Sequence, residues 1–174
     1  LGLIELIVEK GADAADVLPT DIRNNQEAMA ETIENNVRRT IVDENPVNPK
    51  YYEQMSTLLD ELILLRREKA IEYQEYLERI RELSRKIIQP NHSASAYPSS
   101  MDSGAKRALY ATFGTDELLA TKIDSAIRYT KKADWKGDRF KEREIANAIR
   151  QEAVGYDVEV KDVIEIAKAQ KEYD

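Results

Sequence analysis

Asp157, Glu159 and Lys161 stand together in the run YDVEVKD. A Glu-x-Lys pair with a further carboxylate is a set with which nucleases hold a divalent metal and polarise the attacking water. That chemistry needs the groups on adjoining strands. From Val160 onward, however, Val160, Val163, Ile164 and Ala167 fall at i, i+3, i+4 and i+7, a helical period that scatters the three side chains around an axis. The expectation is an acidic helix start. His92, the single histidine, lies in a polar stretch with no second His nearby and no Cys anywhere in the chain, so it reads as a solvated side chain. Without an anchored base there is no nucleophile triad, and no GxxxxGK[ST] phosphate loop is present. The expected catalytic, cofactor-binding and metal-ligating residues are therefore none.

Two groups point to binding instead. Arg128, Lys131, Lys132, Lys136, Arg139, Lys141 and Arg143 surround Trp135 and Phe140. Cations around aromatics contact phosphates and stack on bases. The alternative is a solvated turn with Trp135 in the inter-helix core, since Asp134, Asp138, Glu142 and Glu144 interrupt the positive charge. Tyr51, Tyr52, Tyr73 and Tyr76 lie on neighbouring helices. Tyrosine suits both half-buried packing and a partner-protein surface.

The elements that must position these residues are all helical. Leu1 to Val8 is already apolar at helical spacing, with no initiator Met, so the first helix reads as cut from a longer one and the chain as a fragment. Gly11 and Pro19 bracket a break, with Thr20 as the expected N-cap of a helix ending near Glu44 on the stripe Met29, Ile33, Val37, Ile41. Asn48 caps and Pro49 starts a long helix carrying Tyr52, Met55, Leu59 and Leu62. Arg66 to Lys69 has no apolar residue and marks an end or bend before a helix with Tyr76, Ile80, Leu83 and Ile87. QPNHSASAYPSSMDS (89–103) loses periodicity and reads as a Pro/Ser-rich linker between a lobe at 1–88 and a lobe at 104–174. In the second lobe Gly114, Thr115 as an N-cap followed by acidic Asp116 and Glu117, Asp138 as a cap, and Gly155 punctuate further helices. The fold class expected is all-α, a multi-helix bundle in two lobes.

Composition narrows the function classes. The chain of 174 residues is 34% charged with a net charge of −7, which fits amphipathic helices and disfavours general nucleic-acid binding. Only Lys106–Arg150 is basic, with eleven Lys and Arg against seven Asp and Glu, so a DNA role is confined to one lobe. No signal-peptide pattern and no apolar run of about 18 residues is present. The expectation is a soluble cytoplasmic protein with no membrane partner, and the lack of Cys suits a reducing compartment.

Beyond physical patterning, the order of several short motifs resembles the C-terminal helical region of the R (motor and nuclease) subunit of type I restriction enzymes. The pieces are E-x-I-x-N-N-[VI]-R at Glu31 to Arg38, N-P-x-[YF]-Y-x-x-[ML]-S at Asn48 to Ser56, and Y-x-x-[YL]-L at Tyr73 to Leu77. RALYATFG, KADWKGD, KEREIANAIR and the KAQKEYD ending are similar in flavour. The resemblance implies a parent with a metal-dependent endonuclease domain and two helicase-like motor domains that bind ATP and Mg2+. It further implies methyltransferase and specificity subunits as partners, with duplex DNA reached through the complex. None of the nuclease or motor motifs falls in these residues, so this part is expected to pack on the motor domains and dock the subunit on the methyltransferase core. An auxiliary DNA-contacting role for the basic segment is the alternative.

Overall fold

The computed structural model describes residues 2–11, 13, 14, 18–88 and 97–174, apart from the side chain of Arg23. His92 lies outside these residues. Among them there are nine α-helices and no strand: α1 (Leu3–Lys10), α2 (Thr20–Arg23), α3 (Gln26–Glu44), α4 (Pro49–Arg67), α5 (Tyr73–Ile88), α6 (Gly104–Thr112), α7 (Glu117–Thr130), α8 (Arg139–Glu152) and α9 (Val160–Ala169). The protein is all-α, and no described helix is long and apolar enough to cross a membrane.

Two compact units partition the chain, and neither is contiguous in sequence. Unit 1 is Leu1–Glu44 with Tyr52–Ala94, and unit 2 is Asn45–Tyr51 with Ser95–Asp174. The short segment at 45–51 belongs to unit 2 because a 3-10 turn, Asn45–Val47, packs on α6 and α9. Gln170 Nε2 there donates to Val47 O at 2.7 Å. The stretch from 97 to 103, expected as linker, is part of the same core: Met101 is buried, and Tyr97 packs beside Tyr51 and Tyr110.

In unit 1, α1 packs on α5 and α3, and α3 on α5. Their shared core takes Ile4, Ile7 and Val8 from α1, Met29, Ile33, Val37 and Ile41 from α3, and Ile80, Leu83 and Ile87 from α5. The helix expected from Thr20 to Glu44 is two. Asn25 interrupts it, its Oδ1 accepting from Glu27 N (3.0 Å) and Ala28 N (3.1 Å), so the cap is Asn25 rather than Thr20. A short amide side chain competes with the backbone ladder and wins at this position. The end of α1 is capped from outside the helix: Arg81 of α5 donates to the carbonyls of Val8 (2.9 and 3.0 Å) and Glu9 (3.3 Å). These are carbonyls that a helix end otherwise leaves without a partner.

Unit 2 packs α6 on α7, α7 on α8, and α9 on both α8 and α6. Ser103, Asp116 and Asp138 cap α6, α7 and α8 with side-chain oxygens. The chain then folds its 3-10 turn Lys171–Tyr173 into the core, where Tyr173 is fully buried.

Candidate functional site

Among the described residues each unit holds one buried carboxylate, and each is met by an Arg and a Tyr from other turns of the same unit. In unit 1, Glu34 of α3 sits on the apolar stripe at 4% exposure. Arg66, near the end of α4, grips it in a fork, Nε to Oε2 at 2.6 Å and Nη2 to Oε1 at 2.9 Å. Tyr76 of α5 donates its hydroxyl to Oε2 at 2.8 Å, and the Arg66 guanidinium lies 5.9 Å from the Tyr76 ring centroid. Three helices thus converge on one charge. In unit 2, Asp124 of α7 accepts from Arg128 Nε at 3.0 and 3.1 Å and from Tyr173 Oη at 2.5 Å. Arg128 also lies over the Tyr173 ring at 5.0 Å.

Burial, then the neighbouring carboxylate, pushes both Tyr76 and Tyr173 well above the ordinary phenol range, so both stay protonated as donors. The hydrogen bond to Glu34 raises Arg66 above its ordinary value. In both places the carboxylate, the guanidinium and the phenol are all partnered, which makes the group a packing tie; Glu34 also lines a space of about 450 Å³ beside Arg38 and Asp60. Patterning carried a signal for both ties that motif searching passed over. Glu34 follows Ile33 and Asp124 follows Ile123, each a charge on an otherwise apolar face, which requires a partner.

The tyrosines for which the sequence allows either helix packing or a partner surface are mostly interior. Tyr51, Tyr52 and Tyr76 are buried and Tyr73 is half-buried. The Tyr52 hydroxyl donates to Ile87 O at 3.4 Å, and Tyr73 stacks on Tyr76 with centroids 6.2 Å apart. Tyr52 and Tyr76 satisfy their hydroxyls inside the helix packing and so tie the helices of unit 1 together.

Trp135 is 1% exposed and donates Nε1–H to Tyr173 O at 2.6 Å, which removes its ring from any stacking role. Most of the cations around it are also engaged. Lys131 donates to Asp174 O (2.9 Å), Lys132 pairs with Glu144 (2.9 Å), Lys136 donates to Gln170 O (2.7 Å), and Lys141 donates to Ala133 O (2.7 Å). Arg128 is held by Asp124. Arg139 and Arg143 alone of the set have no ion-pair or hydrogen-bond partner among the described residues, and both are exposed. The expected cluster is therefore split by packing. Asp157, Glu159 and Lys161 are exposed at the approach to α9, and among the described residues no group of three His, Cys, Asp or Glu is placed to hold a metal ion.

Unit 1 has open spaces of about 450 Å³ beside Glu34 and Arg38 and about 370 Å³ beside Arg66 and Tyr73, and a more apolar groove between α4 and α5 of about 470 Å³. Leu58, Leu62, Leu65 and Leu83 floor it, and Glu61, Glu78, Arg79, Glu82 and Lys86 form its rim. Leu58 is 39% exposed, and Leu64 on the next stretch of α4 is 55% exposed. With this geometry in place, comparison with known proteins finds no matching family model, no matching curated protein and no matching solved structure.

Proposed function

We propose that this chain is the C-terminal helical part of a type I restriction R subunit and serves as its assembly domain, docking the motor subunit on the methyltransferase core of a cytoplasmic complex. The nuclease, ATP and Mg2+ chemistry belongs on this reading to the rest of the parent, and the specificity subunit and duplex DNA are met within the complex. The observation that carries the docking role is the leucine-floored groove between α4 and α5, since exposed apolar surface rimmed by charge marks a protein-binding site.

The resembling motifs agree with this in being structural. Ile33 and Val37 of the first motif are core residues, and Arg38 ends it by donating to Ser56, the last residue of the second motif, at 3.3 Å. Asn48 Oδ1 caps α4 through Tyr51 N at 3.4 Å, and Tyr76 of the third motif reaches Glu34. Motif residues that fasten helices to each other suit a scaffold.

The test is co-purification of the parent subunit with its cognate methyltransferase subunit, wild type against Leu58→Asp/Leu65→Asp. A charge in the groove floor should abolish or sharply weaken co-elution on a sizing column while the far-UV circular dichroism is kept. Undiminished assembly by the well-folded variant overturns the docking role.

A further inference from the structure

The outward face of α8 carries a row of arginines that packing has left free. Ile145 and Ile149 are fully buried and define the inner side of this helix. At 100° per residue the opposite side collects Arg139, Arg143, Asn147, Arg150 and Gln151, with Phe140 at its first turn. All six are exposed, and Phe140 is 72% so. There is no carboxylate in this set. Glu142 turns away to accept from Gly137 N and to pair with Lys168, and Glu144 is occupied by Lys132. Arg150 touches only a neutral group, donating to Asn147 Oδ1 at 2.9 Å.

From these observations we propose that the outward face of α8 binds the phosphate backbone of duplex nucleic acid through Arg139, Arg143 and Arg150. The guanidiniums stand about 6 Å and about 16 Å along one helix axis from the first, with the rise of 1.5 Å per residue fixing their order. A planar fork of donors matches a phosphate better than an ammonium does, and a rigid helix holds the row extended. The composition of the face decides between a nucleic acid and an acidic protein. Its centre is Arg, Asn and Gln, and its one aromatic is at the end, where protein-protein interfaces place apolar residues centrally and nucleic-acid interfaces are polar and positive. Sequence patterning puts the basic patch at Arg128 to Arg143, whereas the structure buries Trp135, pairs the lysines with carbonyls and carboxylates, and extends the unpaired face to Arg150. This surface belongs to unit 2 and the groove to unit 1, so the two roles are separable by mutation.

The experiment is fluorescence anisotropy of a labelled 20-base-pair duplex with the 174-residue chain across a salt series, beside a labelled polyglutamate peptide. Three phosphate contacts give a slope of log K against log salt of about −2.7, and Arg139→Ala/Arg143→Ala/Arg150→Ala brings it close to zero, a loss of about a hundredfold at 0.15 M salt. Arg→Lys at all three positions retains the slope, and Lys122→Ala, an exposed cation on α7, leaves it unchanged. Leu58→Asp/Leu65→Asp also leaves it unchanged, which separates this role from the docking role. A wild-type slope shallower than about −1 overturns the proposal, as does DNA binding that survives the triple alanine variant in folded form. Polyglutamate binding as tightly as the duplex overturns it too, since the face would then be an acidic-protein site.

Discussion

Replacing Arg66 by Met should cost this protein far more than any surface ion pair, and burial is the reason. The Arg66 side chain is 12% exposed and its Glu34 partner 5%, and the fork between them is closed at 2.6 and 2.9 Å. Methionine retains most of the aliphatic stem and removes both charge-assisted hydrogen bonds. Glu34 is then left in a low-dielectric site with the Tyr76 hydroxyl as its remaining strong donor at 2.8 Å. Removing one partner of a buried pair costs about 3–5 kcal/mol, because the other charge has lost its compensation. Arg79→Met is the internal control. Arg79 pairs with Glu75 at 2.7 Å, but their side chains are 51% and 48% exposed, so about 0–0.5 kcal/mol is expected. The third variant, Glu34→Leu/Arg66→Met, removes both charges, and well-packed apolar residues in their place should recover most of the loss. Urea unfolding followed by far-UV circular dichroism at pH 7 reads all three, with a shift in midpoint at constant slope as the signature. An Arg66→Met variant no more destabilised than Arg79→Met, or a double variant worse than the single, refutes burial of the pair as the source of the loss.

Three further outcomes follow from the same geometry. Tyr76 and Tyr173 have folded-state values raised above the ordinary 10.0, so their stabilisation is complete below about pH 10. It is then lost as pH rises further, by about 1.4 kcal/mol per pH unit for each. Tyr76→Phe should flatten that alkaline slope in a urea-unfolding series from pH 9 to 11, and an unchanged slope would exclude Tyr76 as its source. Trp135→Ala should destabilise unit 2 by about 3–5 kcal/mol, since it empties a site that is 1% exposed and drops the bond to Tyr173 O. A calorimetric loss under about 1 kcal/mol would mean that the indole is not core. Gly11 has φ +61, and a Cβ there would meet Arg81 Nη1 at 3.3 Å, whereas a Cβ on Gly114 at φ +67 meets nothing within 4 Å. Gly11→Ala should therefore cost more than Gly114→Ala, which thermal melts of the two variants compare directly.

The helix inventory was legible in the sequence because amphipathic period and capping chemistry are local. The stripe Met29, Ile33, Val37, Ile41 is buried as its four-residue spacing requires, and Asp138 caps α8 as its position suggests, while the cap of α7 is Asp116, one residue past the expected Thr115. Locality also explains the one helix read too long. Asn25 competes with the backbone for hydrogen bonds, and apolar spacing does not register that competition.

Which charges are free is a different matter, because pairing joins residues far apart in sequence. Seven cations around one Trp look alike as a string, yet Lys136 reaches Gln170 O and Lys131 reaches Asp174 O, while Arg139 and Arg143 stay in solvent. Tyr173 is an ordinary residue in KAQKEYD until its hydroxyl is found on Asp124. The sequence by itself therefore determined an all-helical protein, with its caps and most of its core positions. Only tertiary packing decided that Tyr51, Tyr52, Tyr76 and Trp135 face inward, that Glu34 and Asp124 are tied, and that the α4–α5 groove and the arginine face of α8 are left uncovered. Periodicity is set within a turn or two of backbone, whereas burial and charge pairing depend on which distant segment arrives to cover a face.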